Sequence, residues 1–146
     1  MAGEVDSDDG AGVQPEDRFF VNVDLDIDSA EDLGPLVRAL EPDACSLERP
    51  PGRASFELNV SVSLKSPEPL ILAFVRVIAN LTPDARAIWD RAARRTLDLG
   101  FQSGHRPHQE THRLSAATLH AVSTVGADIA VTVYGLEPAD GIRSAG

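Results

Sequence analysis

The chain has 146 residues, of which 42% are hydrophobic and 25% charged, and its formal net charge at pH 7 is -10. This length suits one domain with one core, and no stretch of the sequence reaches the roughly 20 apolar residues of a membrane span. Residues 1–17 lack the basic start and the apolar run of a secretory signal. Composition therefore predicts a soluble, globular, cytoplasmic protein with no membrane partner. Cys45 is the only cysteine, which excludes an internal disulfide.

Much of the negative charge lies at the N-terminus. Six acidic residues precede Arg18, the first basic residue, and without them the chain has 17 acidic and 13 basic residues, a net charge of -4. A nucleic-acid-binding surface needs a basic face, so we expect no nucleic acid among the partners. Residues 1–17 also hold almost no large apolar side chains. We predict a disordered acidic tail over 1–17, a single α/β domain over 18–137 and a flexible C-terminal tail over 138–146.

Four segments alternate apolar and polar residues with a period of two. They are Phe19–Ile27, Phe56–Leu64, Leu97–Phe101 and Ile129–Val133. This period is typical of strands with one buried and one solvated face, whereas strands of a doubly wound parallel sheet are apolar on both faces. We therefore predict four strands in a sheet that is covered on one face.

Four helix starts are indicated by a capping side chain or a proline. They are Asp32 ahead of Pro35, Ser66 with Pro67, Thr82 with Pro83, and Ser115. The last helix is expected to end at Gly126 and to bury Leu119, Val122 and Val125. The predicted order is β-α-β-α-α-β-α-β. The fold class is therefore α+β, a two-layer α/β sandwich in which helices cover one face of a four-stranded mixed or antiparallel sheet.

Three stretches of this chain resemble a bacterial family, the domain of unknown function numbered 4279. They are FFVNVDLDI near the N-terminus, DLGPLVRALEPDACSL after it, and LSAATLHAVSTVGADIAVTVYG at the end. The last stretch is the most specific, since members of the family end in a short helix, a glycine turn and a strand that finishes in an aromatic residue. The resemblance implies the fold from about Phe19 to Leu136. The family has no established catalytic residues, so it implies no activity.

The segment GHRPHQETHR contains three histidines and a glutamate. They are His105, His108, His112 and Glu110. Three imidazoles can hold zinc and leave a fourth position for water, as in catalytic zinc sites. Gly104 and Pro107 favour a loop, however, and loop histidines are commonly solvated polar residues. We therefore expect no cofactor, with His105, His108 and His112 as the candidate metal ligands of an alternative hypothesis.

The solvated face of the predicted sheet carries acidic and amide side chains. They are Asn22, Asp24, Asp26, Glu57, Asn59 and Asp98. Paired carboxylates serve as acid and base only where burial or repulsion separates their pKa values, and water is expected to screen them on an open face. Two interpretations stay open. These residues either keep one face solvated, or Asp24, Asp26, Glu57 and Asp98 form a docking surface for a basic protein.

No other pattern assigns a chemistry. Arg86, Arg91, Arg94 and Arg95 form a basic group, but Asp84 and Asp90 lie among them at helical pairing distance, which predicts a solvated helix end. No phosphate-binding loop, dinucleotide fingerprint or nucleophile elbow follows a predicted strand, so no catalytic residue is assigned.

The leading hypothesis is a non-catalytic protein-interaction module, one version being an immunity-type protein that neutralises a basic toxin. The alternative is a small metal-assisted enzyme that uses the histidine segment.

Overall fold

The structure is a computed structural model that describes residues 20–47, 49–59, 66–103 and 109–135. Within these ranges the chain forms an α+β fold of five strands and four helices. None of these helices has both the length and the apolar character needed to cross a membrane. The predicted tails, 1–17 and 138–146, lie outside the described residues, and so does the part of the second predicted strand at 60–64.

The elements follow one another in the order β-α-β-β-α-α-β-α-β. The strands are β1 (Phe20–Asp28), β2 (Ala44–Leu47), β3 (Arg53–Leu58), β4 (Arg94–Gln102) and β5 (Asp128–Tyr134), and the helices are α1 (Gly34–Leu40), α2 (Glu68–Ala79), α3 (Pro83–Arg91) and α4 (Ala116–Thr124). The strand order in the sheet is β2-β3-β1-β4-β5. Among these five strands only β4 and β5 pair in parallel and the other neighbours pair antiparallel, so the described sheet is mixed.

The prediction of four strands is wrong by one, because β2 was not recognised. This strand has four residues, pairs antiparallel with β3, and buries only Ala44, while Cys45 and Ser46 are exposed. A strand of four residues with one buried apolar side chain is too short to show a period of two in the sequence. β2 therefore owes its strand conformation to pairing with β3 rather than to a local pattern.

The core lies between the sheet and the helices. Buried side chains of β1, β3, β4 and all four helices form one cluster, in which α2 packs on β1 and β3 and against α4, and α1 packs against α3. Leu25, Ile27, Phe56 and Leu97 are fully buried on this side. Alternate residues of the same strands are polar and point the other way. The predicted one-sided cover fits this part of the sheet only roughly, because Ser55 and Thr96 on the opposite face are buried as well.

A β-bulge changes the alternation at the start of β1. The pairing of β1 with β4 shifts register between Phe20 and Asn22, so Val21 is the extra residue. The sequence pattern placed Phe19 and Val21 inward, but Phe20 is buried in the core and Val21 is 41% exposed. The bulge therefore turns Val21 and Asn22 together onto the open face.

The predicted starts of α3 and α4 are confirmed. Thr82 Oγ1 accepts the N–H of Ala85 at 3.4 Å, and Ser115 Oγ accepts the N–H of Thr118 at 3.1 Å. Each cap satisfies one of the backbone donors that the first helical turn leaves free. Gly126 follows α4 with a φ of +77°, the left-handed conformation that favours glycine.

Three expectations about helices are wrong. α2 begins at Glu68 with Pro67 as the flanking residue, and no side chain caps it, so Ser66 is not its cap. α1 begins at Gly34 with Leu33 as the flanking residue, and Asp32 Oδ1 accepts the N–H of Gly34 at 2.9 Å without capping the helix. Leu119 is 49% exposed, and Thr118 is buried in its place. Val122 and Val125 are buried as predicted.

Candidate functional site

Three carboxylates meet on the open face of the sheet, on neighbouring strands. Asp24 of β1 stands opposite Asp98 of β4, and the pairing of β1 with β3 places Glu57 on the other side of Asp24. This row follows directly from the period of two, since each residue occupies the solvent-facing phase of its strand. The structure therefore brings together three of the predicted site residues.

The row is held by an amide from the bulge. Asn22 Nδ2 donates to Glu57 Oε2 at 2.6 Å and to Asp24 Oδ1 at 3.2 Å. Asn22 Oδ1 accepts the N–H of Val23 at 2.8 Å, which fixes the amide plane. The bulge thus positions a side chain, that of Asn22, which bridges two of the carboxylates.

Asp24 carries the strongest electrostatic perturbation of this row. Burial first, and then the negative charges of Glu57, Asp26 and Asp98, raise the pKa of Asp24 from 3.8 to about 6, while the charge of Arg49 lowers it. The expectation that water screens these carboxylates is therefore wrong for Asp24, which is half-buried between its neighbours. At neutral pH this group is ionised against the preference of its surroundings.

The carboxylates line a depression of about 210 Å³ on this face. Its other walls are Val21, Asn22, Gly100 and Tyr134. A side chain at Gly100 would meet the ring of Tyr134, since an added Cβ would lie 3.3 Å from Cε2. Glycine there keeps the depression open, and its volume is several times the roughly 30 Å³ of one water molecule. We call this depression the acidic pocket.

The remaining predicted acid, Asp26, lies beside the acidic pocket rather than in its wall. Its Oδ1 accepts the hydroxyl of Ser55 at 2.6 Å, and Arg49 Nε donates to Ser55 Oγ at 3.0 Å. Asp98 Oδ1 similarly accepts the hydroxyl of Thr132 at 2.7 Å. Asn59 follows the end of β3 and is exposed.

The last acidic residue of β1 is paired with basic side chains, and its pKa is shifted in the opposite direction from that of Asp24 in the acidic pocket. At the end of this strand, Asp28 accepts from Arg53 Nε at 2.9 Å and from Arg94 Nε at 2.7 Å. The hydrogen bonds from Arg94 and Arg53 lower the pKa of Asp28. Asp28 is therefore paired with two guanidinium groups, whereas in the acidic pocket the charges of Glu57 and Asp98 help to raise the pKa of Asp24.

The basic group takes part in structural contacts. Arg86 pairs with Asp90 one helical turn away at 3.0 Å, as predicted, and Arg91 makes two hydrogen bonds to Glu31. Arg95 Nη1 donates to the carbonyl of Asp90 at 2.8 Å. These contacts account for the cluster without a phosphate ligand.

His112 is the one candidate metal ligand among the described residues, since His105 and His108 lie outside them. Its ring packs 5.9 Å from that of Phe20 and 5.1 Å from that of Phe101. Nε2 is buried 2.7 Å from a carboxylate oxygen of Glu110, although the contact is not aligned as a hydrogen bond. Within the described ranges no group of three or more His, Cys, Asp or Glu side chains is placed to hold a metal. The three-histidine site stays a prediction.

A second depression, of about 450 Å³, lies on the helix side of the sheet and is mostly apolar. Leu99 and Phe101 of β4, Ile129, Val131 and Val133 of β5, and the segment around His112 line it. It exists because the described helices do not reach the far half of β5. We call it the apolar groove.

Sequence reasoning missed the walls of the acidic pocket. Gly100 inside a strand pattern was a usable signal, because a strand glycine commonly marks a close backbone approach. The place of Val21 in the pocket wall could not be predicted from the sequence, because it depends on a bulge that is defined only by the pairing of β1 with β4. Tyr134 reaches the pocket across Gly100, a contact that strand order alone determines.

Comparisons with protein-family models, with curated proteins and with solved structures found no match to this chain. The resemblance to the bacterial family therefore stays a prediction, and the functional proposal rests on the geometry of the site.

Proposed function

We propose that this domain is a non-catalytic protein-interaction module that docks a basic partner on the open face of the sheet, with a lysine or arginine side chain in the acidic pocket. The observation that carries the proposal is the row of Asp24, Glu57 and Asp98 on adjacent strands, on the face of the sheet that no helix of the described ranges covers. Burial and the charges of Glu57, Asp26 and Asp98 together raise the pKa of Asp24 to about 6, so a cation placed beside this carboxylate would favour its ionised form.

A cation in the acidic pocket would relieve this repulsion. Partial burial and three neighbouring carboxylates disfavour the charge on Asp24, and an ammonium or guanidinium group placed beside it favours that charge. The same negative field would speed the encounter with a basic surface at low ionic strength. Val21 and the ring of Tyr134 offer apolar contacts for the methylene stem of a lysine or arginine.

The immunity-type role is the version of this proposal in which the partner is a basic toxin. Net charge and small size support it. In that case the toxin would be blocked by insertion of its own basic side chain into the acidic pocket, and this chain would need no catalytic residue.

Affinity capture with paired variants tests the proposal. The full chain, an Asp24→Asn/Asp98→Asn variant and an Asp43→Asn/Asp128→Asn control are immobilised and exposed to native lysate at low and high ionic strength. Both double variants lose two negative charges, but only the first loses them from the acidic pocket. We expect the wild type and the control to retain the same basic protein, and the pocket variant to lose it. High salt should release it, because exposed charge pairs are screened.

Two results would count against the proposal. Retention of the same proteins by all three chains would show that the acidic pocket is not the docking site. A captured partner that is acidic, or whose binding survives high salt unchanged, would remove the electrostatic basis of the interaction.

A further inference from the structure

The two outer strands of the sheet differ in how their free edges are protected. β2 has four residues and is bounded by Pro42 on one side and by Pro50 and Pro51 on the other. Short length and flanking prolines are devices by which natural sheets prevent further pairing. β5 has seven residues, DIAVTVY, with no proline, no lysine and no bulge in its register, and its only charge is Asp128 at one end.

The exposed groups of β5 are suited to another strand. Val131 and Val133 are 60% and 64% exposed, although they share the phase of the partly buried Ile129 and point to the helix side. The carbonyl of Tyr134 accepts the N–H of Ser103, towards β4. Since backbone groups alternate along a strand, Ile129, Val131 and Val133 direct their N–H and C=O groups to the free edge. Within the described ranges no strand pairs with that edge.

We propose that β5 pairs antiparallel with β5 of a second copy of this chain, about a two-fold axis at Val131. In this register Val131 faces Val131, and Ile129 faces Val133. All three pairs use the backbone groups directed to the free edge. Their side chains then match apolar against apolar on the helix side, which extends the apolar groove across the axis.

The strand is self-complementary on its other face as well. Ala130 faces Thr132, and Asp128 faces Tyr134, so the single charge does not meet its own copy. A shared two-fold axis closes the assembly as a dimer and leaves no further β5 edge for growth. The axis stands perpendicular to the sheet, so the two open faces lie on the same side of a ten-stranded sheet.

Cysteine cross-linking tests this register directly. In a Cys45→Ser background of the full chain, Val131→Cys should form a covalent dimer on oxidation. Directly opposed residues of such a pair have Cα atoms about 5.5 Å apart, within disulfide range. Val133→Cys alone should not cross-link, because its two copies would be roughly 15 Å apart. A mixture of Ile129→Cys and Val133→Cys chains should give a mixed dimer, and Leu119→Cys is the exposed control on α4.

Light scattering gives the second measurement. The wild type should show the mass of a dimer that dissociates on dilution, and Val131→Lys should be monomeric with an unchanged circular dichroism spectrum. A monomeric mass of the wild type at every concentration would overturn the proposal. So would a covalent dimer of Val133→Cys alone, or a dimer that survives Val131→Lys, since each places the contact elsewhere.

Discussion

Replacing Trp89 with alanine is expected to lower the free energy of unfolding by about 4 kcal/mol, the range seen when large aromatic side chains are removed from cores. Trp89 is fully buried in α3, and its Nε1 donates to the carbonyl of Val125 at 2.7 Å. The guanidinium of Arg95 lies 5.9 Å from the centre of the ring. One side chain therefore joins α3 to the end of α4. Alanine would leave a cavity and a buried carbonyl without its donor.

Two further variants separate the causes of this loss. Trp89→Phe keeps most of the apolar volume but removes the donor to Val125, and should cost about 1 to 3 kcal/mol. Leu119→Ala removes an exposed apolar side chain from α4 and should change stability by less than about 1 kcal/mol. Urea denaturation followed by circular dichroism measures all three, since Trp89 is the only tryptophan. A Trp89→Ala loss no larger than that of Leu119→Ala would contradict this packing.

Asp24→Asn is expected to stabilise the protein at pH 7 by about 1 kcal/mol. The pKa of Asp24 is about 6 in the folded chain against an ordinary value of 3.8. Between these values the folded state binds more protons than the unfolded state, so the stability of the wild type falls as the pH rises through that window. The full shift corresponds to about 3 kcal/mol, and solvent screening at a half-exposed group reduces it to the smaller figure. Asparagine keeps an acceptor for Asn22 Nδ2.

Urea denaturation at about pH 7 and about pH 4 checks both the sign and the cause of this effect. The advantage of Asp24→Asn over the wild type should be present at the higher pH and nearly absent at the lower. Asp128→Asn, which removes a charge from an exposed position, should change stability by less than about 0.5 kcal/mol at either pH. If Asp24→Asn lowers stability at pH 7, or raises it equally at both pH values, then the fold does not disfavour the charged form of Asp24.

A stabilising variant that loses a partner would separate function from fold. Substituting a residue that serves only folding lowers stability. A residue that serves binding often lowers stability itself, so that substituting it raises stability. If Asp24→Asn raises stability and the pocket variant loses the partner, the acidic pocket is maintained for binding. If β5 also pairs with a second copy, two acidic pockets lie on one face and a partner with two basic segments gains from both.

The strands with regular alternation were predictable from the sequence, and those shaped by their neighbours were not. β4 was predicted over Leu97–Phe101, where Leu97 and Leu99 are buried and Asp98 is not, although the strand begins three residues earlier at Arg94. β2 has no local signal and exists through pairing with β3. The bulge at Val21 likewise arises from a mismatch between β1 and β4, which no single strand encodes.

The candidate site was predictable in composition but not in arrangement. The phase of each strand placed Asp24, Glu57 and Asp98 on one face, yet their adjacency depends on the strand order β3-β1-β4. Sequence reasoning left that order open, so it could not anticipate the burial and the repulsion that raise the pKa of Asp24. The exposed valines of β5 were expected in the core, because their pattern is that of a covered strand and the helices do not extend over them.

The most direct test of the acidic pocket is the pKa of Asp24 itself, measured by NMR titration of its carboxyl carbon. We expect a value of about 6 in the wild type, and a lower one in Glu57→Gln, since Glu57 is the largest charge contribution to the shift. A wild-type value near 3.8 would mean that Asp24 is an ordinary solvated carboxylate, and the case for a cation-binding face would fail.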